Sequence, residues 1–230
     1  MMKKGLATSV LFSAFLLGGF SSTAAVQAAT TSTPQPANST ADISFATDNQ
    51  PTQPAAPADP DQPATGNAGP LSLDTVPNLH FGQQQVDGNT TSYAATNAHP
   101  YVQVTDKTGT KAGWNVTVRS TAFKASDGKS DLGATELTFA GAKIARIVAN
   151  SAIGVPTGGD VTLKPDNTEV NFMNATAGAG IGTWVADYAG GYSNGSKTNT
   201  NIRLKVLGNE QAIGTYTATL TWNLAAGPTA

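Results

Sequence analysis

Between Thr215 and Leu224 every second residue is apolar and each residue between is Thr or Asn. That alternation admits one kind of element. Tyr216, Ala218, Leu220, Trp222 and Leu224 share one face, and Thr215, Thr217, Thr219, Thr221 and Asn223 share the other. A period of two belongs to an extended strand with one side buried, because successive side chains point to opposite faces. The stretch Gly113 to Arg119 repeats the logic, with Trp114, Val116 and Val118 opposite Asn115, Thr117 and Arg119. Two of the chain's three tryptophans therefore sit in matching contexts, Trp114-Asn115-Val116 and Trp222-Asn223-Leu224. Two roles stay open for them. They are either core anchors of a repeated strand position, with the indole N–H satisfied locally, or parts of a recognition surface.

From Leu71 to Ala230 the chain reads as one β-rich domain of about 160 residues, enough to bury a core. Strands are predicted at Leu71–Leu73, Asn78–Phe81, Tyr101–Thr105, Gly113–Ser120, Glu136–Phe139, Lys143–Val148, Asp160–Leu163, Thr183–Ala186, Asn201–Val206 and Gly214–Leu224. Gly, Asn, Asp and Pro separate nearly all of them, and Thr and Val are frequent within them. Lys143 to Asn150 also fits two helical turns through Ile144, Ile147 and Val148. No other segment sustains a 3.6-residue period. Many short strands with loop punctuation predict an all-β, antiparallel sandwich or barrel-like domain.

The first 70 residues read differently. Lys3 and Lys4, the apolar stretch from Leu6 to Phe20 and the small residues ending at Ala28-Ala29 have the layout of a secretory signal peptide, residues 1–28. The apolar stretch is shorter than the roughly 20 residues of a spanning helix, and no later run qualifies. Residues 29–70 are rich in Thr, Pro, Ala, Gln and Asp, with a proline about every third position from Pro51 to Pro63. Prolines remove ladder donors and favour extended polyproline II, which predicts an exposed spacer. A short apolar island near residues 42–46 (Ile43, Phe45) is a candidate edge strand tethered to the later sheet, or an unstructured island. Without Lys3 and Lys4 the 13 basic residues fall to 11, against 15 acidic ones. Scattered lysines on a mildly acidic chain make a poor nucleic-acid ligand, since phosphate binding needs clustered positive charge. There is no cysteine, hence no disulfide and no thiolate chemistry. An exported chain of this kind suits a Gram-positive envelope.

Catalytic constellations are scarce. His80 and His99 are the only histidines, and there is neither a cysteine nucleophile nor a Gly-x-Ser-x-Gly elbow. A glycosidase needs two carboxylates facing one cleft, but Asp106, Asp127 and Asp166 sit in turn-like contexts that Asp favours for local reasons. Asp127-Gly128-Lys129-Ser130-Asp131 lacks the spacing of a full calcium loop. Gly178-Ala179-Gly180-Ile181-Gly182 is not followed by a helix that could offer its N-terminus to phosphate. No cofactor, metal or enzymatic activity is therefore expected. Trp184, Tyr188 and Tyr192, in a Gly/Asn/Ser-rich region, are candidate sugar contacts, or else belong to a loop with one core Trp. Asn115, Asn223 and the strand threonines are candidate hydrogen-bonding groups for a glycan or stem peptide.

The segments Thr105–Val118 and Tyr216–Leu224 resemble the paired motifs of the WxL-domain proteins of low-GC Gram-positive bacteria, in their small single-domain form. Leu71–Gly82, Gly178–Trp184, the Asp-Pro-rich stretch and the strand around Ile43–Phe45 are similar too, so the likeness runs from about residue 41 to 224. The first motif ends in Val116 where the family motif has Leu. The resemblance implies a secreted protein at the cell wall or cell surface, held non-covalently with peptidoglycan as binding partner. Trp114, Asn115, Val116, Trp222, Asn223 and Leu224 would be its motif residues. Members of the family are typically encoded beside other surface proteins, including a membrane-anchored partner, with which they are thought to assemble. An alternative is thus a structural subunit docking on that envelope partner, in a surface complex contacting host. No sorting motif follows Leu224 and no lipobox cysteine exists, which fits non-covalent anchoring.

Overall fold

β-branched and aromatic residues at alternate positions, bounded by glycine and asparagine turns, produce sixteen short strands among the described residues. The computed structural model describes residues 36–55, 57–147 and 154–228. The expected signal peptide lies outside them. Two units divide the chain, up to Ser44 and from Phe45 onward. In the first, residues 36–44 take up neither strand nor helix. The candidate edge strand near 42–46 is therefore not formed.

In the second unit the strands are β1 (Leu71–Thr75), β2 (Thr91–Ala95), β3 (Tyr101–Asp106), β4 (Trp114–Ser120), β5 (Phe123–Ala125), β6 (Asp131–Leu132), β7 (Glu136–Phe139) and β8 (Lys143–Arg146). They continue as β9 (Thr157–Gly158), β10 (Val161–Leu163), β11 (Val170–Ala175), β12 (Gly182–Asp187), β13 (Tyr192–Ser193), β14 (Thr198–Val206), β15 (Tyr216–Thr217) and β16 (Leu220–Ala226). One sheet has the order β1-β3-β12-β8, and a second runs β10-β7-β14-β13 with β2 also on β14. A third, the motif sheet, runs β16-β4-β11-β9, and β15-β5-β6 form a small fourth. Every strand ladder is antiparallel, in keeping with the predicted all-β class.

The sheets share one apolar core. Val102, Val104 and Trp184 enter it from the first sheet, Phe139, Ile202 and Leu204 from the second, and Trp114, Val116 and Phe172 from the third. Burial of this much apolar surface, at roughly 25 cal/mol per Å², is the main force holding the sheets together.

Two departures from the sequence reading have local causes, and one open choice is decided. Asn78–Phe81 forms no strand: the His80 N–H donates to Asn97 Oδ1 at 3.0 Å and the His80 carbonyl accepts from Thr96 N at 2.7 Å, so side-chain and loop bonds replace a ladder. Lys143–Arg146 forms a strand paired with β12, as predicted for Lys143–Val148, and the helical alternative is not taken there; residues 148–153 lie outside the described ones. The long run Gly214–Leu224 splits at Ala218-Thr219, sending β15 to the small sheet and β16 to the motif sheet. Thr219 bonds Thr121 at the switch, where each residue's N–H reaches an oxygen of the other at 3.0 Å.

The proline-rich stretch is also not an exposed spacer throughout. Residues 48–55 and 57–65 run over the outer face of the first sheet. Asp59 Oδ1 accepts the N–H groups of Ala98 and His99, each at 2.9 Å, and Gln62 Nε2 donates to Tyr101 O at 2.7 Å. The strap covers Tyr101 and Gln103, so β3 is buried on the side away from the core as well. Val102 and Val104 face the core, while Tyr101, Gln103 and Thr105 face the strap.

Candidate functional site

The motif sheet has two faces of opposite character. On the inner face Trp114 is fully buried, and its Nε1–H donates to the Gly180 carbonyl at 3.0 Å. A Cβ on Gly180, whose φ is +76°, would lie 2.5 Å from that nitrogen. Glycine at position 180 therefore lets the backbone approach the indole. Val116 is equally buried, so the Leu-to-Val difference keeps an inward apolar side chain.

Trp222 lies on the same face but at the sheet edge, and it is only half-buried. Its ring meets Phe172 edge-on at 4.8 Å between centroids and Phe139 at 6.0 Å. The rest of its surface lines a groove of about 1950 Å³ of mixed character, whose apolar wall includes Tyr93, Phe123, Leu132, Tyr216 and Leu220 and whose polar wall includes Gln84, Gln211 and Thr217. Leu224 is half-buried beside it. Ile213, almost fully exposed, stands at the mouth.

On the outer face, register places polar side chains side by side. Asn223 pairs with Thr117 and Thr117 with Asn171, giving one polar row across β16, β4 and β11. The next row holds Asn115 opposite Asn174, and Thr221 stands opposite Arg119. Adjacent strands are about 4.8 Å apart, so each row spans the width of a sugar ring or two. Glu169 ties the first row together: Asn223 Nδ2 donates to its Oε1 at 2.9 Å, and Thr117 Oγ1 donates to the same oxygen. These two bonds, Thr117 first, together with the charge of Arg119, hold the Glu169 carboxyl below its ordinary value. Asn115 is nearly buried, its amide donating to Asn171 Oδ1. Arg119 Nε is shielded from solvent and has no hydrogen-bond partner among the described residues. The face thus presents the exposed amides of Asn223 and Asn171 and the threonine hydroxyls, with the Arg119 Nε–H held beneath them.

The other sugar candidates fall elsewhere. Trp184 and Tyr188 belong to the core, at 4% and 0% exposure. Trp184 Nε1 donates to Ile181 O at 3.1 Å, and the Tyr188 hydroxyl donates to Gly159 O. Burial, and then the Asp160 charge, push the Tyr188 phenol far above its ordinary value. Neither ring has a face left for a sugar, which corrects the expectation for both. Tyr192 is half-buried in β13, away from the motif sheet. Asp127 caps the β5–β6 turn by accepting from Lys129 N at 3.0 Å. No cluster able to hold a metal ion exists among the described residues.

Glu169, Asn171 and Arg119 escaped the sequence reading as site residues. Arg119 was placed on the polar side of its strand, but β11 went unrecognised. Phe172 and Met173 are both buried at a β-bulge, which breaks the alternation that would have announced a strand.

Among the described residues no helix is long and apolar enough to cross a membrane. Neither a curated protein nor a solved structure matches the chain. A family model described as "WxL domain surface cell wall-binding" matches residues 32–228, which take in the strap, all four sheets and both tryptophan motifs. The chain therefore belongs to the WxL family of surface cell-wall-binding domains.

Proposed function

We propose that this protein binds peptidoglycan directly, through the outer face of the motif sheet, and acts as a binder rather than a catalyst. The observation that supports this reading is the polar row Asn223–Thr117–Asn171 with Glu169 and Arg119 around it. Amides and hydroxyls at strand spacing suit the hydroxyl and acetamido groups of a glycan strand. Charge-assisted bonds to Glu169 or Arg119 suit the charged groups of stem peptides. In this reading Trp114, Val116, Trp222 and Leu224 hold the sheet in shape, while Asn223 and its neighbours touch the wall. The protein stands at the cell surface without covalent attachment.

The test is co-sedimentation of the purified chain with isolated, protein-free sacculi. Wild type is expected in the pellet, and an Asn223→Ala, Thr117→Ala double variant with an unchanged circular dichroism spectrum in the supernatant. Equal retention of the folded variant would remove this face from the binding role.

A second reading is favoured by a different observation. The groove beside Trp222, and the outer edge of β16, which no strand pairs among the described residues, suit docking of a protein segment from a membrane-anchored envelope partner. It predicts poor retention on bare sacculi and retention once envelope proteins are restored. Contact with host molecules would follow from such a complex.

A further inference from the structure

The strap is held as a ligand is held. Gln103, whose side chain is fully buried, accepts the Ala55 N–H at Oε1 (2.8 Å) and donates through Nε2 to Gln53 O (3.0 Å). The Tyr101 hydroxyl donates to Ala55 O. The same Gln103 amide donates to Asp74 Oδ2 at 2.9 Å, which fixes its orientation. Asp74, itself buried, is fixed in turn by Ser72 Oγ at 2.5 Å and Thr105 Oγ1 at 2.6 Å. Two side chains on a rigid strand, backed by a second tier of bonds, thus read the main chain of Gln53-Pro54-Ala55. Prolines at positions 51, 54, 57, 60 and 63 pre-extend that segment and lower the entropy lost on docking.

Nothing weaves the strap into a sheet from its N-terminal side, because residues 36–44 form no strand. On its C-terminal side the connection to β1 passes Gly66 and Gly69, whose φ values are +75° and +122°. A Cβ at Gly66 would meet nothing. The strap's end is bridged to β1 just before this turn, Ala64 pairing with Thr75 and Thr65 N donating to Asp74 O at 2.8 Å, so the glycine turn is the hinge about which the strap would exchange.

We propose that the cleft over Tyr101 and Gln103 is a peptide-binding site for a proline-interrupted extended segment, occupied at rest by the chain's own strap and open to the strap of a second copy. Exchange makes and breaks the same contacts, so it costs little once copies are crowded. At low density the tethered strap wins through its high effective concentration.

The salt bridge between Lys107 Nζ and Asp48 Oδ2, at 2.8 Å, supplies a zero-length reporter of strap position. Chains with and without ¹⁵N are mixed, incubated dilute or highly concentrated, and treated with a carbodiimide. Peptides joining Asp48 to Lys107 are then sorted by isotope. Dilute samples should give links within one isotope only, and concentrated ones should give mixed-isotope links approaching half of the total. Gln103→Ala should raise the mixed fraction several-fold at intermediate concentration. Asn67-Ala68 deletion, which shortens the turn without touching the cleft, should produce mixed links even when dilute. Efficient Asp48–Lys107 linkage that stays within single isotopes at every concentration, in wild type and the deletion alike, would overturn the proposal. Dimers in light scattering without mixed links would overturn it too, since association would then bypass the strap.

Discussion

Trp114 and Trp222 share a motif but not an environment. Trp114 lies on β4, with β16 on one side and β11 on the other, and is fully buried with its N–H bonded. Trp222 lies on edge strand β16, half-buried against Phe139 and Phe172 and open to the groove. Position within the sheet decides what a side chain does, even when its neighbours in sequence are the same. The two asparagines follow suit: Asn115 is buried in an amide pair, while Asn223 is exposed on the polar row.

The contrast can be broken or sharpened by substitution. Trp114→Ala should cost about 3–5 kcal/mol and abolish a cooperative melt. A melting temperature within a few degrees of wild type would refute its anchoring role. Gly180→Ala forces a side chain into left-handed backbone and against the Trp114 indole. It should cost about 1–3 kcal/mol, read from chemical denaturation at constant m-value; no loss would mean the close approach is not needed. Trp222→Ala, at a partly exposed edge position, should cost less, about 2 kcal/mol. If it destabilises as much as Trp114→Ala, edge and centre are equivalent and the comparison fails. Asn223→Ala with Thr117→Ala should move stability by no more than about 0.5 kcal/mol while sacculus retention falls.

The smallest effect expected is that of pH. Glu169 titrates below its ordinary 4.5 in the folded chain. Its bonds are therefore complete above pH 4.5 and are lost as pH falls through the lowered folded value. Nothing from this group should change between pH 7 and 5. A carboxyl carbon titration by NMR showing a midpoint at or above 4.5 would contradict the bonding to Thr117 and Asn223.

How much of this was legible in the sequence depended on whether local pattern or distant partners fixed each element. β4, β7 and most of β16 were readable, because clean alternation and flanking glycines need no tertiary information. β11 was hidden by its bulge, and β5 and β6 are too short to show a period. The burial of Trp184 and Tyr188 depends on strands paired across the fold, which spacing alone does not reveal. The strap was misread for a simple reason: prolines exclude it from a ladder, yet a side-chain amide on a neighbouring strand can still hold it. The polar row was half visible, with Asn223, Thr117 and Arg119 on the right side of their strands, but Glu169 came from a loop.

Leu220 pairs with Ser120, and Ala226 with Trp114. The ladder that shields one flank of β4 thus joins segments about a hundred positions apart. Until the later segment has emerged from the ribosome or an export channel, the earlier one has no neighbour on that flank. Such long-range closure is slow. Truncation just ahead of Leu220 should leave the translated remainder open to proteases.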